Sequence, residues 1–101
     1  MSVALKFAVL ARQWAAHCRR VALSSHMADS LACPAYRQLV ELGLPAAPLI
    51  MERYRTEDLP WCYVLQEITG VRMIEDPDAF SPAEVRRRWL AWWREQGPGQ
   101  P

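Results

Sequence analysis

The apolar positions of the chain fall into helical stripes cut apart by punctuation residues. Val3, Phe7, Leu10, Trp14, His17 and Val21 recur at alternating steps of four and three. That spacing places them on one seam of an amphipathic helix of about five turns. Lys6, Arg12, Gln13, Arg19 and Arg20 fall largely off the seam, and the last two complement the negative end of the helix dipole. Ser24 and Ser25 stop this run, and Asp29 or Ser30 nucleates a short turn through Leu31 and Cys33. Pro34 disfavours helical geometry at Cys33 and suits the first position of the next helix. Tyr36, Leu39, Val40 and Leu42 form the next stripe, and Gly43 ends it as a left-handed cap would. Pro45 starts a segment whose apolar residues are Ala47, Leu49, Ile50 and Tyr54. Asp58 is the expected N-cap of the following helix, with Pro60 in its first turn. Trp61, Val64, Leu65 and Ile68 then sit at i, i+3, i+4 and i+7, one buried stripe closed by Gly70.

After Gly70 the pattern changes. Residues 71–80 mix apolar and acidic side chains with Pro77 and keep neither helical nor strand period. A loop held down by Val71, Met73, Ile74 and Phe80 is expected. Ser81-Pro82-Ala83-Glu84 is a helix start, with Ser as N-cap, Pro at the first position and Glu at the third for a reciprocal capping box. The last helix, residues 82–96, has Val85, Trp89, Trp92 and Trp93 on its apolar face and Arg86, Arg87, Arg88 and Arg94 around it. Gly97 stops it. No stretch sustains the alternation of a strand. The fold class is therefore all-α, a compact bundle of four to five helices. No short central helix can bury its stripe alone, so each must cover its neighbour's.

The length of 101 residues fits one domain, residues 1–97, with 98–101 as a frayed tail. With 51% apolar residues and five Trp, the composition is that of a folded globule rather than a disordered chain. A net charge of +1 gives no global attraction to nucleic acid or anionic lipid, so any basic surface is local. The three cysteines, Cys18, Cys33 and Cys62, are odd in number and lack CxxC spacing, which suits a reducing, cytoplasmic compartment. The opening stretch has Lys6 as its only early cation and is interrupted by Arg12 and Gln13, unlike a secretory signal. No apolar run approaches the ~20 residues of a membrane span, so no membrane partner is expected.

Candidate chemistry concentrates in the last helix. Trp beside Arg suits a binding hot spot or a base-stacking platform. Trp89 and Trp92 are expected in the core of a domain short of core. Trp93 lies about 100° further round the helix from Trp92 and is the expected surface aromatic. Arg86, Arg87, Arg88 and Arg94 could neutralise phosphates, but three consecutive residues spread round most of a helix, so a solvated face is the simpler expectation. His17, His26, Cys18 and Cys33 fit no standard zinc spacing, and no metal or cofactor is expected. Cys62 beside Trp61 reads as a small buried hydrophobe rather than a nucleophile, and no catalytic constellation is present. Glu52, Glu57 and Asp58, and in the later loop Glu75, Asp76 and Asp78, are expected as solvated caps and loops that could also serve polar docking.

The stretch LVELGLPAAPLI, followed by a short connection and WCYVLQEITG, resembles a HEAT-like repeat, which pairs an LG-x-x-A-x-P-x-L helix with a second helix ending in Gly. PAYRQLVELGLPAAPLI…WCYVLQEITG with Trp89-Leu90-Ala91-Trp92 is similar to a family of small, uncharacterised bacterial proteins. These carry HPAY, VPLIL and W-x-x-A-L-x-x-ITG stretches and a closing W-L-x-W. The likeness covers roughly residues 33–96 and departs at its first position, where Cys33 replaces the usual His. No role of that His carries over. The resemblance implies an all-helical fold with a HEAT-like hairpin over residues 34–70, and it supplies no activity. HEAT-like repeats usually offer concave protein-binding surfaces, and one repeat needs flanking caps or a second copy to be stable.

The function expected is a non-enzymatic protein–protein interaction module of a small bacterial cytoplasmic protein. Its contact residues are expected to be Trp93, Arg94, Arg87, Tyr54 and Arg53. The alternative is a nucleic-acid-binding or regulatory protein, which requires Arg19, Arg20, Arg86, Arg87 and Arg94 on one face without interleaved acids. A homodimer paired through Trp93 and Leu90 is a third expectation.

Overall fold

The first stripe becomes α1, Val3–Arg20, in a computed structural model that describes residues 2–23, 27–57, 59–73 and 81–96. Ser2 caps it, its hydroxyl accepting the Leu5 amide at 3.2 Å. Phe7, Leu10, Ala11 and Trp14 are buried, while Val3 is 38% exposed, so the seam engages the core only from the second turn. His17 and Val21, the far end of the seam, are half-buried.

The turn expected near Asp29 is α2, Met27–Leu31, and α3 follows at Pro34–Leu42 with Cys33 as N-cap and Pro34 at its first position. Gly43 breaks the chain with φ 73° and ψ −157°, a region that is essentially glycine-only. A single 3-10 turn, Leu44–Ala46, leads into α4, Ala47–Tyr54. The stretch LVELGLPAAPLI is thus two helices with a sharp corner at Gly43 rather than one helix. Next comes α5, Trp61–Thr69, whose N-cap position is taken by Pro60; Asp58 lies outside the described residues. Gly70 ends it in the left-handed conformation, φ 78°, its amide donating to the Gln66 carbonyl at 2.8 Å.

The closing helix is α6, Pro82–Gln96. The Ser81 hydroxyl accepts the Glu84 amide at 3.4 Å, one half of the expected capping box. The Glu84 carboxylate turns forward to Arg87 and Arg88. Val71 and Met73 pack against the core as expected; Ile74, Phe80, Gly97 and the tail lie outside the described residues.

Among the described residues there are six helices, five of them eight residues or longer, and no strand. The shortest dimension of the molecule is 22 Å, two helix diameters of about 10–12 Å. The bundle is therefore two layers deep. α1 packs chiefly on α3 and the 3-10 turn, and α5 packs on both α3 and α4. Where α1, α3 and α5 meet, Trp14 lies 5.0 Å from Trp61 edge-on and 5.6 Å from Tyr36, and Phe7 stacks on Trp61 at 5.5 Å. These ring contacts add to area burial and fix the angle between the helices. The Trp14 indole N–H donates to the Ser30 carbonyl at 2.9 Å and that of Trp61 to the Glu57 carboxylate at 3.2 Å, so both buried rings are satisfied.

Candidate functional site

The remaining helix, α6, touches α4 and α5 more sparsely than α1 touches α3, and the space beside α4 stays open. Pro48, Met51, Glu52 and Arg55 share one face of α4 at i, i+3, i+4 and i+7, and Arg87, Leu90, Ala91 and Arg94 repeat that spacing on α6. With Trp93 they line a groove of about 710 Å³. Its apolar part is Pro48, the buried Met51 and the half-buried Leu90, Ala91 and Trp93. The core stripe of α6 is a different one, Val85, Trp89 and Trp92.

The charges in the groove are unequal. Among the described residues, Arg55, Arg87 and Arg94 line the groove with one acidic residue, Glu52. Arg87 pairs with Glu84, which Arg88 also contacts at 3.3 Å. Hydrogen bonding from Arg87, together with its charge, holds the Glu84 carboxyl below its ordinary value. These are exposed pairs, screened by solvent, and contribute little to stability. Arg55 and Arg94 make no ion pair or hydrogen bond among the described residues. Arg86 turns away from the groove and donates to the carbonyls of Tyr54 and Glu57 at 3.5 and 3.4 Å, finishing the C-terminal end of α4. The arginine triplet therefore splits between scaffold and surface.

Of the residues expected to make contacts, Trp93, Arg94 and Arg87 come together in this groove. Arg53 does not. It lies on the other side of α4, pairs with Glu57 at 3.1 Å, sits 5.5 Å from the Phe7 ring centre and lines a second groove of about 610 Å³ against α1. Tyr54 is corrected outright: at 4% exposed it belongs to the core. It sits on the inward face of α4 with Ala47, Ile50 and Met51, where burial, then the nearby Cys62, raises its hydroxyl above the ordinary tyrosine value. Trp93, the expected surface aromatic, is half-buried, and Trp92, expected in the core, is also half-buried, with its ring edge-on to Trp89 at 5.5 Å.

Sequence reasoning missed Pro48, Met51, Glu52, Arg55, Leu90 and Ala91 as a set. The usable signal is a mixed apolar and charged stripe ending in Arg, present once on each helix at the same spacing. That two such stripes face each other follows only from the packing of α4 on α6.

Elsewhere the chemistry is quiet. Burial pushes the Cys62 thiol up to about 11, and it raises Cys18 as well, with Cys33 adding to that rise. His17 Nε2 lies 2.7 Å from the Asp29 carbonyl oxygen, a pairing in which the ring nitrogen donates. Among the described residues no three His, Cys, Asp or Glu side chains gather as a metal would require, and no helix is long and apolar enough to cross a membrane. His26, Asp58, Glu75, Asp76 and Asp78 lie outside the described residues. No protein-family model, curated protein or solved structure matches the chain.

Proposed function

We propose that this protein is a small cytoplasmic interaction module that works without catalysis, docking a segment of another protein in the groove between α4 and α6. The observation that carries the reading is the groove's make-up: Trp93, Leu90 and Ala91 set among three arginines, two of which, Arg55 and Arg94, have no partner among the described residues. Trp and Arg are the residue types that dominate binding hot spots, and a central apolar floor with a charged rim is the usual anatomy of a protein interface. Packing of α5 on both α3 and α4 supports a HEAT-like reading of residues 34–70, as the likeness to small bacterial proteins suggests. The free thiols Cys18, Cys33 and Cys62 suit a reducing compartment.

Purification of a tagged full-length copy from its host cells, with and without nuclease, tests this. A protein that co-purifies in stoichiometric amount, survives nuclease and moderate salt, and is lost on Trp93→Ala is the expected result. The variant must keep the wild-type circular dichroism spectrum for its loss to count. A wild-type partner that Trp93→Ala retains would overturn the assignment of the groove.

The second reading is nucleic-acid binding, favoured by the convergence of Arg55, Arg87 and Arg94 beside Trp93. Two arrangements count against it: Glu52 lies inside the groove and Glu84 sits on Arg87 and Arg88. Bound nucleic acid that disappears with nuclease and weakens steeply with salt would make this the better reading.

A further inference from the structure

We infer that the segment docked between α4 and α6 is acidic, with Asp or Glu flanking a bulky apolar residue, and that it belongs to a different protein rather than to a second copy of this chain. The inference rests on the docking reading above and adds the chemistry of the partner. Its first support is charge. Arg55 ends the α4 stripe, Arg87 and Arg94 bound the α6 stripe, and Glu52 is the one acidic residue of the lining among the described residues. The Arg55 and Arg94 guanidinium groups have no partner among the described residues, so a ligand carboxylate meets donors that are not already committed. Guanidinium matches carboxylate with two parallel hydrogen bonds, which gives direction as well as attraction.

The second support is the apolar strip running between those charges. The half-buried Leu90, Ala91 and Trp93 and the exposed Pro48 offer aliphatic and aromatic surface in one depression, with Met51 buried at its base. Aliphatic side chains beside an indole make a depression that one bulky apolar side chain would fill. Carboxylates alone would leave this surface in contact with water. Apolar side chains alone would leave the arginines unused.

The third support is that charge disfavours self-association through this face. In a two-fold dimer the same patch meets itself. The arginine-bearing groove would then face its own copy, bringing two sets of Arg55, Arg87 and Arg94 into one interface, with Glu52 and Glu84 as the nearby acids among the described residues. Like charges brought together across an interface oppose association.

Selection from a random linear peptide display library on the immobilised full-length protein tests the inference. Selected peptides are mapped by amide shifts on the labelled protein, and the selection is repeated on Arg55→Glu/Arg94→Glu. Both positions are exposed, so the double variant leaves the fold intact. The expected result is enrichment of acidic sequences with a bulky apolar residue that shift residues 48–55 and 87–94. Their affinity falls at least about tenfold on the double variant, whose own selection moves to Lys- and Arg-bearing sequences. Peptides that map to the groove but are neutral or basic, and indifferent to the reversal, would overturn the acidic chemistry and leave the docking reading standing. Peptides that map elsewhere, or no selected peptide at all, would overturn the docking reading and this inference with it.

Discussion

Two tryptophan clusters in one small protein do different work. Trp14 and Trp61 belong to different helices, pack edge-on at 5.0 Å, and each donates its indole N–H to an oxygen. With Phe7 and Tyr36 they join α1, α3 and α5 through direct ring contacts. Trp89 and Trp92 instead share one helix, and the buried Trp89 N–H has no partner among the described residues. Trp92 and Trp93 stay half-buried at the edge of α6. The difference teaches that Trp content alone does not separate core from surface. Trp89 is as fully buried as Trp14 and Trp61, whereas its helix neighbours Trp92 and Trp93 are half-buried, so position on the helix face and not residue type decides. Ring contacts join α1, α3 and α5, while α4 and α6 each give one face to the core and leave another lining the groove between them.

The comparison breaks most visibly at Trp61. Trp61→Ala is expected to cost about 3–5 kcal/mol, a large share of a typical total of about 5–15 kcal/mol. Urea denaturation measures it, and a loss below about 1 kcal/mol would mean that the aromatic junction is not the keystone described here.

The next effect is alkaline. Burial pushes the Cys62 thiol up to about 11 from 9.0, so the folded state favours the neutral thiol. Its contribution is fully present below pH 9 and is lost as pH rises through about 11. The loss from this group approaches about 2–3 kcal/mol. Tyr36 and Tyr54, raised by burial, act in the same direction at higher pH. Stability followed by urea denaturation from neutral pH upward should fall more steeply in the wild type than in Cys62→Ala, and parallel curves would contradict the buried-thiol account.

At the corner between α3 and the 3-10 turn, Gly43→Ala is expected to cost about 1–3 kcal/mol. The nearest atom to an added Cβ would be a Pro45 ring carbon at 3.8 Å, so the cost is backbone conformation rather than collision. A neutral thermal melt would show that the corner relaxes, and with it the placement of α4 against α6.

Much of this fold is legible in the sequence. The seam of α1, the stripe of α5, the glycine stops at Gly43 and Gly70 and the Ser81-Pro82 start of α6 are local signals, each with a backbone reason. Tyr54 shows where reading by residue type fails. Its spacing from Ala47 and Ile50 already marked the inward face of α4, yet its type suggested a rim. Arg86 fails in the opposite sense, since a residue in a basic run closes a helix end instead of meeting solvent. Part of the candidate site was legible as well, because Trp93, Arg94 and Arg87 lie on one helix. The α4 wall was not, because its juxtaposition with α6 depends on long-range packing that no local period encodes.

The most direct measurement pairs a melting curve with partner retention for Arg55→Glu/Arg94→Glu. Exposed substitutions of this kind change stability by only about 0.5 kcal/mol, so the melting temperature should stay close to wild type while the partner co-purified by the wild type is lost. An unchanged melting temperature with the partner still bound would contradict the assignment of the α4–α6 groove as the docking surface.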